Sequence, residues 1–98
     1  MNNKQYFEFF TDAGNMSFPD FAEKYKNVKD APDFWFAVHR NIKSIAKKAG
    51  LPIRQLAMKC GIPHRTVENW AAGIRECPPY VLLLIQVYLG VFDVKKYL

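Results

Sequence analysis

The chain has 98 residues, half of them apolar, with a formal charge of +5 and a pI near 9.3. That is one domain's worth of chain with enough apolar material for a real core, which excludes a disordered segment. The surplus of base favours an anionic partner, and it is concentrated: His39 to Arg75 holds eight Lys/Arg against the single acid Glu68, whereas residues 1–38 are net acidic and residues 76–98 balance.

The first expected helix starts at Asn3 or Lys4, runs through Phe10 and closes near Gly14. Ser17-Phe18-Pro19-Asp20 reads as a capping box, with Ser17 as N-cap and Asp20 reaching back. Phe21, Tyr25 and Val28 follow at helical spacing. Asp30-Ala31-Pro32-Asp33 repeats the signal, with Asp30 capping, Pro32 in the first turn and Asp33 favoured by the dipole. Phe34, Val38, Ile42, Ile45 and Ala49 then recur at three-four spacing and predict one long helix from Pro32 to Ala49. Arg40, Lys43 and Lys47 form a basic stripe on another face, either a solvated surface or a rail for phosphates.

Gly50 ends that helix, and Pro52 to Lys59 forms the next, with Leu56, Ala57 and Cys60 inward. Gly61 supplies a left-handed turn without steric cost. His64–Ala72 follows and is closed by Gly73; Pro78-Pro79 restarts the chain into Tyr80–Leu89, ended by Gly90. The tail Val91–Leu98 suits a strand or a helical turn. The expected fold is all-α, a compact helical bundle in three parts. Residues 1–31 form an aromatic-rich helical extension, 32–90 the main domain and 91–98 a tail.

The segment between Gly61 and Gly73 carries the chemistry. On a helical wheel Val67, Trp70 and Ile74 fall on one side, and His64, Arg65, Glu68 and Asn69 on the other. The second set offers donors, acceptors and a guanidinium, the groups that read base edges in the major groove. Two short helices joined by a tight glycine turn make a helix-turn-helix, in which the second helix is presented to DNA. Trp70 reads as a core wedge rather than a base-stacking platform. Glu68 suits either acceptance from cytosine N4 or pairing with Arg65.

Arg54-Gln55-Leu56-Ala57, Gly61-Ile62-Pro63, Thr66-Val67, Asn69-Trp70 and Gly73 resemble the phage-repressor/Cro-type (XRE-like) helix-turn-helix family. The likeness covers residues 32–89, and the ending "NWAAGIRECPPYVLLLI" is similar to small bacterial and mobile-element regulators of that type. The resemblance implies that His64, Arg65, Glu68 and Asn69 face bases, that Thr66 sits near the DNA backbone, and that Gly73–Arg75 approaches phosphates. Arg54 joins them as a DNA contact. Ile53, Pro63 and Ala71 depart from the pattern, where the family often has Gln, a Ser or Thr cap, and an acid. The first change removes one phosphate contact, and the second weakens the cap by roughly 1 kcal/mol.

Cys60 and Cys77 suggest no disulfide framework and fit a reducing cytosol, and no signal peptide is evident. The longest apolar run, Tyr80–Ile85, is too short for a membrane span. Cys60, His64, Cys77 and His39 do not have the paired spacing of a structural zinc site. No acidic pair, nucleophile–base set or phosphate loop appears, so neither an enzyme nor a cofactor is expected. The segment Tyr80–Leu89 is apolar all round, which points to a central or shared helix. A homodimer through Val81, Leu82, Ile85 and Leu89, with help from the tail, is expected; the rival is that the N-terminal aromatics fold over this helix in a monomer. The sequence thus reads as a cytoplasmic, sequence-specific regulator of double-stranded DNA, a repressor. The alternative is a protein-interaction module on the same scaffold, antitoxin-like or inhibitory.

Overall fold

A computed structural model describes residues 1–98 as seven α-helices and no strand. The helices are α1 (Asn3–Asn15), α2 (Phe18–Lys24), α3 (Ala31–Val38), α4 (Ile42–Ala49), α5 (Ile53–Cys60), α6 (His64–Ala71) and α7 (Pro79–Tyr88). A single 3₁₀ turn, Lys95–Tyr97, follows. No helix is long and apolar enough to cross a membrane.

The caps explain most of the boundaries. Asn2 accepts from the Gln5 amide at 2.8 Å while the Gln5 side chain accepts from the Asn2 amide at 3.0 Å, a reciprocal box that starts α1. Gly14 lies inside α1 rather than ending it. Ser17 caps α2 by accepting from the Asp20 amide at 3.4 Å, without the return bond from Asp20. Asp30 does not cap α3 through its side chain. It adopts a left-handed backbone, φ 60°, which costs a non-glycine residue roughly 1 kcal/mol. The tail holds it there: the Tyr97 hydroxyl donates to the Asp30 carbonyl at 2.6 Å and Lys96 pairs with its carboxylate at 3.2 Å.

The expected single helix from Pro32 to Ala49 is two helices. Asn41 takes an extended backbone and accepts from the Ser44 amide at 2.8 Å, which is an N-cap and starts α4 afresh. The break redirects the apolar stripe. Phe34, Ala37 and Val38 of α3 enter one core, with Phe9, Phe21 and the buried Tyr97. Ile42, Ile45 and Ala46 of α4 enter a second, with Leu56, Val67, Leu82 and Ile85. The tail is therefore part of the first core. Burial pushes the Tyr97 hydroxyl up to about 12, with Asp33 and Asp30 adding to it.

Helix α7 joins the two cores, since Leu83 belongs to the first and Leu82 and Ile85 to the second. Between them Gln86 is completely buried with its hydrogen-bonding groups engaged. Its amide donates to the carbonyls of Ala37 at 2.7 Å and Leu82 at 3.1 Å, and its oxygen accepts from Arg40 at 3.2 Å. A buried amide satisfied in this way fixes α3 against α7 in one register, because any slip would orphan it.

On the far side of the first core, Lys24 donates to Asp12 at 2.6 Å and Glu8 at 3.4 Å, and the Tyr25 hydroxyl donates to Asp12 at 2.5 Å. Burial raises the Asp12 carboxyl, but the bonds from Lys24 and Tyr25 together outweigh it and leave it below its ordinary value. Lys24 is thus engaged with two carboxylates.

Candidate nucleic-acid interface

Helices α5 and α6 are joined by the turn Gly61–Pro63, and the turn is fixed by backbone bonds. The Ile62 amide reaches the Ala57 carbonyl at 2.9 Å and the Gly61 amide reaches Met58 at 3.2 Å. This is a Schellman ending, which needs the left-handed φ of 68° that Gly61 supplies. Ala57 and Leu56 are buried against Val67, so the inner side of α6 is anchored by Val67 and by the partly buried Trp70. Pro63 stands at the N-cap of α6 and gives no side-chain bond.

The outer side of α6 borders a hollow of about 510 Å³ lined by His64, Arg65, Glu68, Asn69, Ala72 and Ile74. Four of these are the polar residues that the helical wheel placed together. Glu68 pairs with His64 Nδ1 at 3.2 Å, one turn back, and not with Arg65. Arg65 is exposed and has no carboxylate partner. Thr66 is half-buried beside this face, and Arg54 is exposed on the first turn of α5.

Ile74 is a residue that the wheel misplaced. It was expected beside Val67 and Trp70 on the buried side, but it is 72 % exposed and lines the polar hollow. The chain leaves the helix at Gly73, φ 76°, so extrapolating the period past that point fails. The Asn69 carbonyl then accepts from both Ile74, at 3.0 Å, and Arg75, at 3.3 Å. The loop after α6 is thereby tied to the same helix turn that carries Asn69. An aliphatic group held among donors and acceptors matches the mixed edge of a base pair containing thymine, whose methyl is the apolar feature of the major groove.

Arg75 points elsewhere. It lines a second hollow, of about 520 Å³, shared with Arg40, Asn41, Glu76 and Trp70 between α6, α7 and the start of α4. The ion pairs between lysines or arginines and carboxylates use Lys24 twice, Lys26 and Lys96. None of the eight Lys/Arg between His39 and Arg75 is among them. Lys43, Lys47 and Lys48 on α4, Lys59 on α5, and Arg54, Arg65 and Arg75 are all exposed. Only Arg40 is partly withdrawn, towards Gln86.

The other chemistry-bearing residues lie apart from this face. Burial raises the Cys60 thiol and pushes Cys77 up to about 11, which disfavours a thiolate at either position. His39 stacks on Trp35 with centroids 4.0 Å apart and bonds the Ala13 carbonyl. No three His, Cys, Asp or Glu side chains gather in a way that could hold a metal ion.

The surface expected for a second subunit needs correction. Leu82 and Ile85 are buried in the protomer's own second core, and Val81 and Leu89 are half-covered beside them. The exposed side of α7 belongs instead to Tyr80, Leu84, Val87 and Tyr88. Of α7, Leu83 is buried in the first core with the N-terminal aromatics, and Tyr6, Phe7 and Phe10 also flank Tyr80 and Leu84.

No protein-family model, curated protein or solved structure matches this chain.

Proposed function

We propose that the chain is a sequence-specific DNA-binding regulator, a repressor, in which α5 and α6 form a helix-turn-helix of the phage-repressor/Cro type. Helix α6 enters the major groove and presents Arg65, Glu68, Asn69 and His64 to base edges. One observation carries the reading: the polar face of α6 lies in the stretch His39–Arg75, none of whose eight Lys/Arg has a carboxylate partner. Unpaired surface cations around a face of donors and acceptors are what a polyanion with readable edges requires. Phosphates meet Arg54, Arg75 and the α4 lysines, and Ile74 supplies an apolar contact at the edge of the reading surface.

The test is selection of duplexes from a random pool, followed by a salt titration on the selected site. Some five or six phosphate contacts give a log–log slope on the order of −5. No bound duplex at low salt, or a slope near zero, would overturn the proposal.

A second reading has its own support. The apolar exposed side of α7 is the kind of surface that binds protein, so an interaction module of the antitoxin or inhibitor type stands as the alternative. It predicts that DNA selection returns nothing while a protein partner is retained.

A further inference from the structure

Three residues on α7, Tyr80, Leu84 and Tyr88, fall four apart and make one exposed apolar ridge. An apolar hollow runs along each side of it. One, of about 480 Å³, lies towards α5 and is floored by Ile62, Val81 and Ile85. The other, of about 390 Å³, lies towards α1 and is walled by Phe7 and Phe10. Leu84 borders both.

We infer that this ridge is the contact between two copies of the chain, each lodging its ridge in a hollow of the other. The inference goes beyond DNA binding and does not depend on it. Three observations support a second copy as the occupant. A knob and a hollow on the same face are self-complementary, which a two-fold contact requires, and a row at four-residue spacing is the commonest ridge for packing into a helix groove. The area is also sufficient. Tyr80, Leu84, Tyr88, Phe7 and Met58 each remain between 57 and 74 % exposed. With about 200 Å² for a fully exposed large side chain, these fractions leave roughly 650 Å² of apolar surface. That exceeds the ~300–600 Å² of the largest patch on an ordinary monomer and approaches the ~800 Å² that each partner contributes to a standard interface. Finally, Lys59 is the one charged residue bordering either hollow. A face so poor in charge has no means of selecting a charged partner, and it matches the charge-depleted centre of a homodimer interface.

Sedimentation equilibrium of the full chain without DNA, across about 1–100 µM to bracket the affinity of a modest interface, tests this. The wild type should reach the mass of two chains and stop there. Leu84→Lys and, separately, Tyr88→Lys should weaken association at least about a hundredfold, because each buries an ammonium without a partner. Both positions face solvent in the protomer, so circular dichroism and melting of the monomer should be unchanged. A wild-type monomer throughout the range would overturn the inference and leave the ridge to a different protein. A dimer indifferent to both substitutions, or association that continues past two, would overturn it as well.

Discussion

Phe34→Ala should destabilise the protein by about 3–5 kcal/mol, the cost of emptying a fully packed aromatic site. Phe34 is completely buried, with its ring centroid 4.6 Å from Phe9 and 5.0 Å from Tyr97. Tyr6, Phe10 and Phe92 surround it at about 6 Å. Its neighbours Phe9 and Tyr97 are themselves buried and packed, so they can collapse into the space only in part. A domain of this size has about 5–15 kcal/mol in total, so the variant should be largely unfolded at moderate urea. The effect should reach the other end of the molecule. Helix α3 holds α7 through the Gln86 bond to Ala37, and α7 delivers Leu82 and Ile85 to the core beneath α6. Loss of the first core therefore releases the platform of the proposed reading helix, and DNA binding should fall with it. Urea unfolding followed by tryptophan fluorescence and by circular dichroism should give one coincident transition in the wild type. Separate transitions for Trp35 in the first core and Trp70 in the second would contradict this coupling. Phe7→Ala is the control: Phe7 is exposed in the protomer, and its loss should change the stability of the monomer within about 0.5 kcal/mol.

Four of the helix ends were legible because they depend on local chemistry, whereas Gly14 lies within α1 and Asp30 gives no side-chain cap. Gly50, Gly61, Gly73 and Gly90 each stop a helix with a left-handed residue, as their positions implied. The break at His39–Asn41 was not legible, because the apolar spacing runs through it unbroken from Phe34 to Ala49. The spacing stayed regular while the two halves turned to different cores. Only the Asn41 cap signals the break, and an asparagine in mid-helix is a weak sign. Helix α7 defeated the sequence for the opposite reason. A helix apolar on every side has no preferred inward face, so which residues stay exposed depended on where α1, α3 and α5 came to rest. The polar side of α6 was legible because Val67 and Trp70 give that helix a clear inner side. Ile74 was lost because it lies past Gly73, where the helical period no longer applies. The Glu68 partner was lost because His64 and Arg65 are both within reach on the wheel, and only geometry chooses between them.

Arg65→Ala and Asn69→Ala should each cost about 1–3 kcal/mol of specific DNA binding and relax preference at particular base pairs, the value of one bidentate base contact. Their melting temperatures should barely move. Arg65 is exposed and unpaired. Asn69 borders the outer hollow, and the bonds that tie the loop to it use its backbone carbonyl, which alanine retains. Two comparisons sort reading from folding and from simple charge. Trp70→Ala removes the indole that packs against the second core. It should destabilise the fold by roughly 3 kcal/mol and lose binding to all sequences because α6 is no longer held. Arg75→Ala removes a cation outside the reading hollow. It should weaken all sequences alike and flatten the salt slope by about one unit. Ile74 gives a signature that no cation shares. Replacing one thymine of the selected site by uracil deletes a single methyl group. That change should weaken the wild type and leave Ile74→Ala indifferent, provided the aliphatic side chain meets that methyl. Selection profiles for the Arg65 and Asn69 variants decide the matter. If both prefer the same bases as the wild type and differ only in overall affinity, α6 does not read sequence. Its polar face would then be an electrostatic anchor, and the specificity of the protein would have to come from a partner.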